Sequence, residues 1–88
     1  MAIVTLRAPL KGLTGGSSEV KLEGASVLEV LRTLEAEHPR IIGWVLDEQG
    51  RIRRHVNVFV DGELIREDEA IGPDARIHVL PSITGGMR

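Results

Sequence analysis

Apolar positions recur along this chain with two periods, and each change of period marks the boundary of an element. From Ala2 to Ala8 they alternate loosely, with Val4 and Leu6 on one face and Ile3, Thr5 and Arg7 on the other. Side chains in a strand point alternately to its two faces, so this stretch predicts a first strand, which Pro9 ends. The glycine-rich run from Lys11 to Ser18 predicts a turn or loop. Glu19 to Leu22 follows as a short second strand that pairs back as a hairpin. Gly15-Gly16 lies between these strands and reads as a turn.

The period then changes. Val27, Val30, Leu31 and Leu34 recur at three- and four-residue steps and form one apolar stripe of a helix. Ser26-Val27-Leu28-Glu29 fits a capping box, with the serine oxygen taking the third-residue amide and the glutamate reaching back. Pro39 disfavours helical geometry at His38, so the helix should stop near Glu37. Ile41 to Leu46 is an apolar run readable as a single helical turn sealing the end of the core. Asp47 to Arg51 is a polar turn. Arg54 to Val60 predicts a strand with Val56, Val58 and Val60 on one side and His55, Asn57 and Phe59 on the other. Asp61-Gly62 signals a tight hairpin, because both central positions of the favoured turn need positive φ. Glu63 to Arg66 is the return strand, 67–74 a loop, and Arg76 to Leu80 the last strand.

The order strand, strand, helix, strand, strand, strand predicts an α+β protein of the β-grasp (ubiquitin-like) class. It has a mixed sheet of about five strands with one main helix across one face. A generic small α+β sandwich is the alternative. Residues 1–81 would form the domain and 82–88 a flexible tail. Phe59 and Trp44 are the only aromatics, so the core must be built mostly from Val, Leu and Ile.

A domain of 88 residues buries only about 60–65% of its unfolded surface, which leaves little room for a deep cleft. Lys+Arg 11 against Asp+Glu 13 gives a net charge of −2, with no overall attraction to nucleic acid or anionic lipid. No stretch is long and apolar enough to span a membrane. The start, Met1 to Leu6, lacks the charged-then-apolar plan of a signal peptide, so a cytoplasmic location is expected. The absence of cysteine removes disulfides, thiolate metal sites, side-chain persulfides and thiol nucleophiles. If the protein carries sulfur, its terminus is the place left to carry it.

Side-chain chemistry is sparse. His38, His55 and His78 have no metal-ligand spacing, and no metal site is expected. His38 suits a helix C-terminus, where a partly charged imidazole is favourable. His55 and His78 read as surface or contact residues. Arg51, Arg53 and Arg54 form a basic cluster, by default a solvated loop and otherwise a docking contact for an acidic partner. With 2% aromatics, nucleic-acid binding is not expected. Glu67-Asp68-Glu69 is by default solvated surface, with partner recognition as the functional option. No phosphate-cradling loop precedes a helix, and no nucleophile–base constellation is present, so intrinsic enzyme activity is not expected. Ile3, Phe59, His78 and Leu80 fall on the sheet face away from the helix. Grouped apolar residues on a face that is ordinarily polar suggest a binding surface.

The ending holds the most information: Ile83-Thr84-Gly85-Gly86-Met87-Arg88 follows the last strand directly. Two glycines make a thin, flexible probe able to thread a narrow channel and present one carboxylate. Met87 and Arg88 mask that carboxylate in an ordinary peptide bond.

At these residues the chain resembles the MoaD/ThiS family of ubiquitin-like sulfur carriers. The likeness is carried by Arg54-His55-Val56-Asn57-Val58-Phe59-Val60-Asp61-Gly62-Glu63 and by the run from Ile77 through Leu80-Pro81 to Gly85-Gly86. Within the family it looks most similar to the CysO-like carriers of bacterial cysteine synthesis, which share the Leu-Pro and a glycine-rich loop after the first strand. The resemblance implies a protein co-substrate that binds no cofactor itself. A ubiquitin-activating-type adenylyltransferase uses ATP to adenylate the Gly86 carboxylate. A sulfurtransferase then supplies sulfur to form a thiocarboxylate, which a cysteine-synthase-type enzyme accepts. It also implies removal of Met87-Arg88, cleaving after Gly86, by a JAMM-type zinc metallopeptidase. Gly85 would keep the end unhindered, while Phe59, His78, Leu80, Pro81 and Ile83 would contact partners. The alternatives are a molybdopterin synthase small subunit, a protein modifier conjugated through Gly86, and an interaction module with an inert tail.

Overall fold

The computed structural model describes residues 1–7, 10–16 and 18–81. Five strands form one sheet: β1 (Ala2–Leu6), β2 (Glu19–Leu22), β3 (Val56–Val60), β4 (Glu63–Ile65) and β5 (Arg76–Pro81). They lie in the order β2-β1-β5-β3-β4. β1 and β5 run parallel, pairing Val4 with Ile77 and Leu6 with Val79. The other neighbours are antiparallel. This is the β-grasp arrangement, with a mixed five-stranded sheet and one main helix, α2 (Val27–Glu37).

The alternation expected of β1 is present: Ala2, Val4 and Leu6 are buried and Ile3 and Thr5 half-buried. α2 buries Val27, Val30, Leu31 and Leu34. With Val4, Leu6, Leu22, Val58, Ile77 and Val79 they make a single apolar core. Complete burial of each such side chain contributes roughly 1.5–3 kcal/mol. The core is aliphatic, as expected, with Phe59 half-buried and Trp44 exposed.

The start of α2 corrects the sequence reading. The Glu29 amide donates to Ser26 Oγ at 3.3 Å, but Glu29 Oε1 accepts from the Ala25 amide rather than that of Ser26. The Val27 amide donates to the Glu69 carbonyl and the Leu28 amide to Asp68 Oδ1 at 3.0 Å. Thus the acidic run is more than solvated surface. It satisfies first-turn N–H groups of a helix and puts a carboxylate at the positive end of its dipole. The contact spans 40 positions, so only the fold reveals it.

A second correction falls in the glycine-rich stretch, where a short helix α1 (Leu10–Leu13) stands in place of continuous loop. Its single turn is held by packing: Leu10 is fully buried and Leu13 packs against the core. Thr14 Oγ1 donates to the Lys11 carbonyl at 3.0 Å. Gly15 and Gly16 form the expected turn, both at positive φ. At the other helix end, α2 stops at Glu37 with His38 as its C-cap, and Pro39–Ile41 forms one 3-10 turn. β3 starts at Val56 rather than Arg54, because the Val56 amide closes a turn onto the Arg53 carbonyl, leaving Arg54 and His55 in that turn. The β3–β4 hairpin turns at Asp61 and Gly62, with φ of 49° and 90°, as the Asp-Gly signal requires.

Gly24 marks a tight crossing. A Cβ built there would lie 2.6 Å from Val30 Cγ2 and 2.9 Å from the Val30 amide nitrogen. Backbone cannot yield as a side-chain tip can, so Gly24→Ala should lower stability by about 1–3 kcal/mol. The midpoint of urea unfolding measures this. For the long-range cap, Asp68→Ala should cost about 1 kcal/mol, and Glu67→Ala much less.

Candidate functional site

β5 lies between β1 and β3, so it is paired on both edges as far as Val79 and on the β3 edge alone at Leu80 and Pro81. On one side Leu6 pairs with Val79; on the other, Asn57 pairs with Leu80 and Val56 with Pro81. Proline cannot donate to a ladder, which suits it to the last position of a strand. Ile83, Gly85, Gly86 and Met87, with the rest of 82–88, lie outside the described residues. What the structure defines is the platform at the root of the tail.

The sheet face opposite α2 carries the other candidates. One row of cross-strand partners runs over all five strands: Glu19, Thr5, His78, Phe59 and Leu64. Directly paired side chains sit about 5 Å apart at Cβ, close enough to touch. Thr5, His78 and Phe59 are half-buried, and Leu64 is 49% exposed. The next row toward the tail pairs Asn57 with Leu80. Arg66 arches over it, donating from Nη2 to Asn57 Oδ1 at 2.9 Å and from Nη1 to the Val56 carbonyl at 3.0 Å. The row on the other side joins Lys21, Ile3 and Arg76. Phe59, His78 and Leu80 are therefore brought onto one open face with Ile3, as expected. His55 is not, because it sits in the turn before β3.

The face has an apolar centre and a polar margin of Lys21, Arg66 and Arg76, which is the plan of a protein contact surface rather than of a small-molecule pocket. The margin was not legible in the sequence, since Arg66 reaches Asn57 only through the β3–β4 hairpin. The hollow lined by Leu28, Arg51, Ile52, Arg66, Glu67 and Asp68 holds only about 200 Å³. Among the described residues no three His, Cys, Asp or Glu side chains are grouped to hold a metal ion, and no helix is long and apolar enough to cross a membrane.

The basic cluster has a built base. Asp47 Oδ1 accepts from the Gln49 amide at 2.8 Å and the Arg51 amide at 2.9 Å. The Arg51 amide contact is the larger cause holding this carboxyl below its ordinary pKa, with the Arg51 and Arg53 charges adding to it. Glu35 moves the other way, raised chiefly by burial.

A match to the ThiS family model covers residues 4–86, ending on Gly86. A curated relative, the sulfur carrier protein CysO of Mycobacterium tuberculosis, is 31% identical over 91 aligned positions, covering 94% of this chain and 98% of that protein. Small archaeal modifier protein 3 of Haloferax volcanii is 35% identical across 73% of each chain. Among solved structures, that of the Amycolatopsis orientalis BexX/CysO complex superposes with a TM-score of 0.87 at 28% identity, covering 98% of this chain and 100% of the matched one. The chain belongs to the ThiS family, the ubiquitin-like sulfur carriers whose likeness its strands and ending bear. By class it is a carrier protein of the ThiS/CysO type and not an enzyme.

The depressed Asp47 pKa has a testable consequence. Its loop contacts favour the ionised form, so they stabilise the fold above the unfolded aspartate pKa of about 3.9 and are lost as pH falls through the lower folded value. The stability gap between the wild type and Asp47→Ala should be full at pH 7 and close progressively below pH ~4, read from unfolding midpoints across that range.

Proposed function

We propose that the chain donates sulfur from a thiocarboxylate formed at Gly86, in the biosynthesis of cysteine or another sulfur-containing metabolite. Met87 and Arg88 are first removed by a JAMM-type zinc metallopeptidase that hydrolyses the Gly86–Met87 bond. The freed carboxylate attacks the α-phosphorus of ATP on a ubiquitin-activating-type adenylyltransferase, releasing pyrophosphate and leaving an acyl adenylate. A sulfide equivalent delivered by a sulfurtransferase attacks the carbonyl carbon, and AMP departs with the C–O bonding pair. The product is a nucleophile at neutral pH that needs no cysteine, in keeping with a chain that has none. ATP is the adenylyltransferase's substrate, and the carrier binds no cofactor of its own.

The observation that carries this reading is the family match running through Gly86 and stopping before Met87. The doubly paired β5 adds to it, because a rigid root lets a short tail be aimed into another protein's active site. The open face around Phe59, His78 and Leu80 is the contact surface for those partners, with Pro81 and Ile83 at the tail's base, and Gly85 keeps the reacting end slim. The work is cytoplasmic, where ATP and these enzymes meet. The likeness to an archaeal modifier favours one second reading, in which activated Gly86 is passed to a lysine of a target protein.

Intact mass spectrometry of the protein recovered from its own cells tests both readings. Loss of Met87-Arg88 with one oxygen exchanged for sulfur is the result expected of the carrier. Chains attached to larger proteins through Gly86, surviving thiol reductant, would favour the modifier. A population that keeps Met87-Arg88 throughout sulfur-demanding growth would overturn the processing step.

A further inference from the structure

An apolar pair outside both the core and the open face stands at the end of the molecule from which the tail leaves. After the 3-10 turn, Ile42 is 61% and Trp44 45% exposed, while Ile41 and Val45 on either side are fully buried. Indole is costly to leave in water and is enriched where proteins meet. Leu46 and Ile52 form an antiparallel bridge, and the Arg53 amide donates to the Val45 carbonyl at 2.9 Å. Continuing that register by two residues puts Trp44 across from Arg54. Arg40, Arg53 and Arg54 are all exposed.

The topology fixes where this cluster lies. β1 and β5 run in the same direction, so the end of β1, with α1 after it, shares a pole with Pro81. α1 packs on the 3-10 turn, and β3 begins beside Pro81 at Val56. Arg7 and Lys11 belong to the same pole. Of the acids nearby, Asp47 is turned into its own loop and the half-buried Glu35 accepts from the Gly43 amide. That leaves Glu19, Glu37 and Glu48 exposed among Arg7, Lys11, Arg40, Arg51, Arg53 and Arg54. Asp61, Asp74 and Glu23 belong to the opposite end, so a net charge of −2 conceals a basic tail pole. Five extended residues from Ser82 to Gly86 reach at most roughly 17 Å. An enzyme that reacts with Gly86 must therefore come within that distance of Pro81 and face this pole.

We propose that Ile42 and Trp44, flanked by Arg40, Arg53 and Arg54, form a second docking surface, occupied by an acidic-rimmed apolar pocket on the adenylating enzyme. This rests on the reading that Gly86 is adenylated. The tail's reach points to an enzyme that takes Gly86, the first of which in that reading is the adenylating enzyme, and the basic rim argues against a second copy. A second copy of this chain would bring the same arginines against themselves, and like charges facing across an interface are strongly unfavourable. The arginines would speed and orient encounter while the indole anchors the complex, as central aromatic residues do.

The test is calorimetric titration of the full-length chain into its adenylating enzyme at two salt concentrations. Trp44→Ala should weaken binding tenfold or more, Ile42→Ser less, and Arg53→Glu with Arg54→Glu should weaken it while flattening the salt dependence. Glu23→Lys at the opposite pole should leave Kd unchanged. Thermal melts of these exposed-site variants check that the fold is intact. Equal affinities for wild type and Trp44→Ala would overturn the proposal, as would self-association of the wild type that Trp44→Ala abolishes. If the variants bind weakly as expected but chain ending at Gly86 takes no AMP, the docking surface stands and the adenylation reading fails.

Discussion

The placement of β5 between β1 and β3 is the constraint on which the rest depends. The strand that leads into the tail is the central one of five, with partners on both edges through the Leu6–Val79 and Val58–Val79 pairings. A strand held this way cannot fray without breaking two ladders and uncovering Ile77 and Val79, which are fully buried. Val79 is thus held on both edges, two residues before Pro81, the last residue of the ladder with β3.

The same pairing organises both faces. Alternation along β5 commits Ile77 and Val79 to the core and His78 and Leu80 to the open side. Because Phe59 and Thr5 are paired to His78, the open face becomes one continuous strip rather than scattered exposed residues. A slip of one residue in either ladder would invert every side chain of the strand. Core burial and the makeup of the open face are therefore coupled through register. What the register builds is an open strip on the sheet rather than an enclosed pocket.

Much of the fold was legible. The valines of β3, the stripe of α2, the Ser26 cap and the Asp-Gly turn are short-range patterns, and each is found where its period predicts. Two elements were not. α1 is a single turn containing Gly12, with too few residues for a helical period to register; it exists because Leu10 is driven into the core. The strand assigned from Arg54 begins two residues later because a turn closed on Arg53 competes with the ladder.

Of the candidate site, the sequence by itself determined the composition of the ending and the alternation that sends Phe59, His78 and Leu80 away from the helix. Those are local facts, set by neighbours one to four residues apart. Only the tertiary structure decided that Asp68 caps a helix 40 positions earlier, that Arg66 arches over Asn57, and that Trp44 and Arg54 share the tail's pole. Each of these joins residues of different elements, nine to 40 positions apart. No period or composition encodes such a contact; it arises when the sheet order sets which ends of which strands become neighbours.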